Sequence, residues 1–428
     1  MSGTSLIVLQ HGLWGSSSHM KFIEKSLQDK FKDKNIVILN STVNEGKYTY
    51  DGVDICGERL AKKIKNSIKE LAKKGKKVNK INVIGYSLGG LILRYSMGLL
   101  YQEGFFDKVK PGFFVTFATP HIGVRHPRKT LFAKVFNFCS GFLVSRTGEQ
   151  LQLIDNDNSE PLLSLLATPE KPYYQALSKF ETIRTYANII NDRTVPYWTA
   201  AFLNQDYFEH FDKVALEMDQ DYPAIITGYD SINSKKTTKF KPKRLLKKAR
   251  KLLFYILIPL LFPIYATIII VFIGGQGVLS RLRVKKLLEK NKSFSYSSIS
   301  IDSDSTVDQD ASDDEHSNPI LSATLDAMNI TPDDEDEQES EKEHKTIHTS
   351  NNWCNVEPSE PIKKYAQELP FDNHTLNIQK NLNTLPWQKV LVCLHTFNAH
   401  GSIVCRQSIH TNDHGRSVIK HFVDTISI

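Results

Sequence analysis

The chain of 428 residues is 40% hydrophobic and 24% charged, ordinary for a soluble enzyme, and its length suits two or three units built around at least one large core. Its five cysteines, Cys56, Cys139, Cys354, Cys393 and Cys405, are scattered without a C-x-x-C pair, which argues against a disulfide framework or a zinc site and for a reducing compartment. The net charge of +7 hides an asymmetry, with basic residues crowded into 235–251 and 281–292 and acidic ones into 301–342.

The N-terminal MSGTSLIVLQHG has no basic leader, and its apolar run passes straight into a polar motif, so no secretory signal is expected. Short apolar runs then recur: SLIVLQ at 5–10, NIVILN at 35–40, INVIGY at 81–86, FFVTFAT at 113–119 and IRTYANII at 183–190. They are β-branched or aromatic and do not alternate, as strands buried on both faces of a parallel sheet require. Between them lie amphipathic stretches such as 56–77, with Leu60, Ile64, Ile68 and Leu71 at helical spacing and lysines elsewhere. This βα alternation predicts an α/β fold with a mostly parallel sheet.

From about 234 the alternation stops. A basic run leads into LLFYILIPLLFPIYATIIIVFIG at 252–274, and a second basic run follows. The segment 293–350 is rich in Ser, Asp and Glu, with too little apolar surface to offset its ordering entropy. KVLVCLHT at 389–396 and GRSVIKHFVDTI at 415–426 then read as a last strand and a closing helix. The expected organisation is a core over 1–234, a basic-flanked membrane- or lipid-anchoring segment over 235–292, a disordered acidic linker over 293–360, and completion of the core by 361–428.

Within this frame IGYSLGGL at 84–91 stands out, because Ser87 follows a strand-like run and precedes a helix-compatible one. That is the context of a nucleophile elbow. A serine hydroxyl needs a base and an oxyanion site to act. The first strand ends in the glycine-flanked HGLWG, so the backbone N–H groups of Leu13 and Leu88 are the natural oxyanion donors. His11 in that loop is expected to hold the loop and not to serve as base. Asp192, after the run that ends near Asn191, is the candidate acid; Asp155 and Asp157 lie in a polar loop with no preceding strand. The base comes last in the order Ser, Asp, His, leaving His395, His400, His410, His414 and His421. His400 falls in the loop just after the last strand, and His414 is the runner-up. Residues 127–154, with Leu131, Phe132, Val135, Phe136, Phe138, Phe142 and Leu143, read either as a lid or acyl-binding cap or as an ordinary buried helix.

The segments HGLWG, YDGVDICGERLA, GYSLGGLILRY, FATPHIG, SRTGEQLQLID, NDRTVPYWTA and AHGSIVCR with GRSVIKHF together resemble the fungal lipid-droplet phospholipase and monoacylglycerol-lipase-like serine esterases of the α/β-hydrolase superfamily. They cover most of 5–200 and 388–425; Cys405 departs from the pattern without touching a candidate catalytic residue. The resemblance implies an α/β-hydrolase fold and a lipid acyl-ester hydrolase with Ser87, Asp192 and His400 as its triad. Phospholipid is the first expectation for substrate, with monoacylglycerol or triacylglycerol as alternatives and an inactive lipid-surface scaffold as the contrasting class. Such acyl transfer calls for no cofactor and no metal. The expected partner is a lipid surface bound through 241–286, on the cytoplasmic face of lipid droplets or the endoplasmic reticulum, and not nucleic acid; the oligomeric state is left open.

The triad also constrains topology. The run 252–274 is long enough, at about 1.5 Å per residue, to cross a hydrocarbon core of roughly 30 Å, but a single crossing would part Ser87 and Asp192 from His400. Lys243, Arg244, Lys247, Lys248, Arg250 and Lys251 before the run, and Arg281, Arg283, Lys285 and Lys286 after it, give no positive-inside asymmetry. Pro259 and Pro263 favour a bend near its middle. A monotopic hairpin or interfacial helix pair is therefore expected.

Overall fold

Alternation along the first strand, β1 (Thr4–Gln10), divides the core in two: Leu6 and Val8 join one buried cluster, Ile7 and Leu9 the other. Both faces of the sheet are therefore covered, as the unbroken apolar runs require. The computed structural model describes residues 3–127, 131–155, 160–231, 267, 271–289, 352–396 and 398–428. Outside them lie the apolar run up to 270 apart from Thr267, its basic leader Lys243–Lys251 with Pro259 and Pro263 beyond, the acidic segment 293–350, Asp157, and the side chains of Phe132, Val135 and Phe136.

Six strands make one parallel sheet in the order β10-β5-β4-β3-β1-β2. After β1 come α1 (Lys21–Lys30), β2 (Ile36–Asn40), α2 (Val53–Lys73), β3 (Val78–Tyr86), α3 (Leu88–Gln102) and β4 (Lys110–Phe117). Then follow α4 (Leu131–Leu143), α5 (Ser145–Leu151), α6 (Leu162–Ala167), α7 (Pro172–Ser178), β5 (Thr182–Asn188) and α8 (Tyr197–Ala200). A short β6 (Gln205–Asp206) precedes the antiparallel pair β7 (Val214–Met218) and β8 (Ile226–Ser231). The helix α9 spans 271–289. The C-terminal part adds α10 (Glu360–Tyr365), β9 (Gln367–Glu368), which pairs with β6, α11 (Asn373–Leu382), β10 (Trp387–Val392), α12 (Ala399–Ser402) and α13 (Asp413–Thr425).

This is an α/β-hydrolase-like arrangement in which the chain reverses direction across the sheet between β1 and β3, the position where a crevice opens beyond the strands' carboxyl ends. One expectation is adjusted: β2 is an edge strand, half-buried along its whole length, because among the described residues no strand pairs with it on the far side. The last strand returns as anticipated, with β10 beside β5 from Trp387↔Ile183 to Val392↔Asn188.

Two segments read as separate from the core are packed against it. In 352–360, assigned by composition to the linker, the Trp353 ring lies 4.5 Å from the His421 ring and the Arg184 guanidinium sits 4.5 Å from the Trp353 centroid. In α9, Ile273 packs with Trp14, Tyr50 and Val144. Among the described residues no helix is long and apolar enough to cross a membrane.

Candidate active site

Strand β3 delivers Ser87 on a turn with φ 54° and ψ −128°, a conformation that costs a non-glycine residue about 1–3 kcal/mol and persists only where its surroundings enforce it. Here the Ser87 N–H donates to the Phe117 carbonyl at 2.9 Å, and the Thr119 hydroxyl donates to the Ser87 carbonyl at 2.9 Å. Helix α3 must also start hard against the end of β1. A Cβ on Gly89 would stand 2.2 Å from the Gln10 carbonyl oxygen, so only glycine fits. The HGLWG loop crosses over the nucleophile as closely, since a Cβ on Gly12 would lie 2.6 Å from the Ser87 Cβ.

His400 reaches this serine from the far end of the sheet. The turn after β10 is fixed by Asn398, whose side chain caps α12 by accepting from the Gly401 N–H at 2.9 Å, and by the Tyr86 hydroxyl, which donates to the His400 carbonyl at 2.9 Å. His400 Nε2 lies 3.1 Å from Ser87 Oγ, and Nδ1 lies 2.8 Å from Asp192 Oδ2. Asp192 stands just past β5, after Asn191 in the left-handed region with φ 60°. Its other oxygen, Oδ1, accepts from the backbone N–H groups of Thr194 at 3.1 Å and Val195 at 2.8 Å. The imidazole and carboxylate side chains are 3% and 1% exposed. With Nδ1–H donating to the carboxylate, the Nε2 lone pair faces the serine hydroxyl.

Leu13 and Leu88 both line the cavity over Ser87. Among the described residues neither backbone N–H has a protein acceptor, so both are free to meet a developing oxyanion. The cavity is about 100 Å³ and mainly apolar, closed by Trp14, Val144, Leu151 and Val195. Part of its wall comes from the α4–α5 pair, and α4 is no ordinary buried helix: Leu131 is 79% exposed, Phe138 72% and Phe142 58%.

The remaining candidates stand elsewhere. His11 is buried with Nδ1 3.0 Å from the Gly12 carbonyl of its own loop, and burial lowers its pKa. The His414 ring neighbours that of His395 at 6.3 Å, while His395 Nε2 lies 3.3 Å from Cys393 Sγ. His410 stands beside Arg406, and His421 Nδ1 lies 2.9 Å from the Tyr186 hydroxyl. Asp155 accepts from the Leu162 N–H at the start of α6. Sequence reasoning missed the supports. Tyr86 carried a signal, because a phenol at the end of a core strand needs a partner. So did Asn398, a favoured capping residue two positions before His400.

Residues 1–205 match the family described as "Putative serine esterase (DUF676)". Over those residues the chain is similar to this serine esterase family. The matched segment holds the elbow and the Asp192 loop, whereas His400 comes from beyond it, returned by β10. The chain is 30% identical over 204 residues to "Putative lipase C4A8.10" of Schizosaccharomyces pombe, covering 46% of this chain and 26% of that one. It is 32% identical over 209 residues to "Putative lipase ROG1" of Saccharomyces cerevisiae, covering 47% and 29%. The matched part thus spans under a third of either relative's length. Among solved structures, phospholipase PlaB from Legionella pneumophila aligns with a TM-score of 0.31 at 15% identity, over 49% of this chain and 43% of that one.

Proposed function

We propose that this esterase hydrolyses acyl esters of lipids, releasing fatty acids from glycerophospholipids at a lipid-droplet or membrane surface. Ser87 is the nucleophile, His400 the general base and then acid, and Asp192 the carboxylate that orients the imidazole; the Leu13 and Leu88 amides form the oxyanion hole. The carrying observation is the hydrogen-bonded chain from Ser87 Oγ through His400 to Asp192 Oδ2, at 3.1 and 2.8 Å, beside an apolar cavity. His400 takes the Ser87 proton as Oγ attacks the ester carbonyl, and returns it to the departing alcohol oxygen. A water, deprotonated by the same imidazole, then attacks the acyl-enzyme and restores the free serine.

The lipid substrate is supported by the apolar cavity lining and by the exposed apolar face of α4. A phospholipid surface is supported by the basic residues on both sides of the 252–274 run, each contributing about 1 kcal/mol near anionic headgroups. The proposed location is the cytoplasmic face of lipid droplets, with the endoplasmic reticulum as a second site. Neutral acylglycerols are the alternative substrates, and the assay must separate the two.

The test is labelling of the purified full chain with a fluorophosphonate, followed by product analysis on phospholipid vesicles and on monoacylglycerol and triacylglycerol emulsions. Ser87-dependent fatty-acid release from phospholipid supports the reading. Labelling with release from acylglycerols alone moves the substrate, and failure to label Ser87 leaves a lipid-surface scaffold.

A further inference from the structure

Residues 46–53, which run into the first residue of α2, touch the HGLWG loop, α5 and α9. The Thr49 hydroxyl accepts from the Trp14 N–H at 3.0 Å, holding the residue next to Leu13 in its left-handed conformation of φ 55°. The Gly46 N–H donates to the Gly15 carbonyl at 2.9 Å. From the cap side, the Thr147 hydroxyl donates to the Thr49 carbonyl at 2.6 Å, and Gln150 accepts from the Val53 N–H at 2.6 Å.

In the middle of this segment Asp51 is fully buried and carries three donors from two helices. Arg59 of α2 reaches Oδ2 at 2.5 Å. From α9, Ser280 reaches Oδ1 at 2.6 Å and Arg283 reaches it at 2.6 Å, with its Nε 3.0 Å from Oδ2. Ile273, Ser280 and Val284 form the buried stripe of α9, at the spacing of one helix face. Gly277 lies on that stripe too, where a Cβ would stand 3.1 Å from the Leu143 carbonyl oxygen. The opposite face, with Val271, Val278 and Leu282, is exposed. A buried ion pair is weak evidence for stability, since an apolar replacement often serves as well, and its best-attested use is to fix one geometry.

We infer that Asp51 is a positioning residue for the oxyanion loop and that α9, the helix into which the apolar run 252–274 leads, is the clamp acting through it. Arg283 and Ser280 seat α9 on Asp51. Seating presses Ile273 onto Trp14 and fixes Thr49, which holds the Trp14 amide beside that of Leu13. Helix α9 and the oxyanion site are thereby one mechanical unit. The inference rests on the esterase reading above and names a control point of that site.

The experiment compares wild type, Arg283→Ala, Arg283→Lys and Ser280→Ala in the full chain. Turnover of a soluble short-chain ester is measured per active site titrated to completion with a fluorophosphonate, together with the inhibition constant of a trifluoromethyl ketone. Arg283→Ala is expected to lower kcat per titrated site about 10- to 100-fold, the scale of a misplaced catalytic group, with KM within about twofold. The ketone's inhibition constant rises by the same factor, because it too needs the oxyanion hole. Arg283→Lys, which keeps one charged donor for Asp51, recovers at least about threefold of the loss. Should Arg283→Ala not fold, Ser280→Ala carries the test, with an expected loss of about three- to tenfold from one charge-assisted hydrogen bond. Turnover per titrated site within about twofold of wild type in both alanine variants overturns the inference. So does a fall in titratable sites with unchanged turnover per site, which is the mark of a folding defect alone. A wild-type chain that does not label overturns the esterase reading itself.

Discussion

Asp192→Asn tests the triad with the smallest possible change of shape. Asp192 Oδ1 accepts two backbone N–H groups, from Thr194 and Val195, while Oδ2 faces His400 Nδ1. In an asparagine the carbonyl oxygen is held on the side of the two N–H donors, so the NH₂ points at His400. The imidazole then accepts at Nδ1 and carries its proton on Nε2, facing Ser87, where it cannot take the serine proton. Turning the amide over would restore the working tautomer but set the NH₂ against two donors, losing two hydrogen bonds at about 1 kcal/mol or more each. The working form is thereby held to a few per cent at most, and it lacks the carboxylate's charge. A fall in kcat of about 10³- to 10⁴-fold is expected, or roughly 4–5.5 kcal/mol in the barrier. The assay is turnover of a soluble ester by protein whose thermal midpoint matches wild type. Retention of more than about a tenth of wild-type kcat would refute the reasoning, because the tautomer trap would then not exist.

Ser87→Ala should cost on the order of 10⁶ in kcat with the fold intact, as judged by circular dichroism. His400→Ala should be nearly as damaging, whereas His414→Ala should be mild, and the reverse ranking of the two in the same ester assay would move the base to His414. Gly89→Ala places a Cβ 2.2 Å from one backbone carbonyl oxygen and 2.6 Å from the next, so α3 must lift off β1; a stability loss of more than about 3 kcal/mol is expected by denaturant titration. Burial and the neighbouring Arg184 push the His421 pKa down to about 3 from 6.5. Because the unfolded chain takes up that proton first, this contribution is complete above pH 6.5 and is lost as pH falls from 6.5 towards 3. Between pH 6 and 5 the wild type should lose about 1 kcal/mol more than His421→Asn.

Ser87 was legible because an elbow is local: a buried strand, a glycine-rich turn and an apolar helix follow one another within a short stretch of sequence. Asp192 was legible for a similar reason, standing just past a strand-like run that ends near Asn191, with β5 ending at Asn188. His400 could be ranked over His414 by its place after the last strand, but only geometry shows that it is the histidine meeting both Ser87 and Asp192. The supports left no such trace. Asp51 reads as a turn residue beside Gly52, and its partners Ser280 and Arg283 lie 229 and 232 residues away. The exposed apolar face of α4 was equally hidden, since periodicity reports that a stripe exists and not whether anything covers it. Trp353 packs against His421 and Arg184 from within a segment whose overall composition is that of a linker, and a single aromatic is lost in such an average.

The pairing of β10 with β5 has a consequence for the chain as it is being made. Asn188 ends β5, and Trp387 begins the strand beside it, so at about 5–20 residues per second the partner emerges roughly 10–40 s later. During that interval β5 presents an unpaired, apolar edge that another nascent chain could occupy. The polypeptide on the ribosome already holds Ser87 and Asp192, but not the His400 imidazole that hydrogen-bonds to both. Completion of the Ser87–His400–Asp192 hydrogen-bonded chain therefore coincides with closure of that edge, through β10 and the turn that follows it.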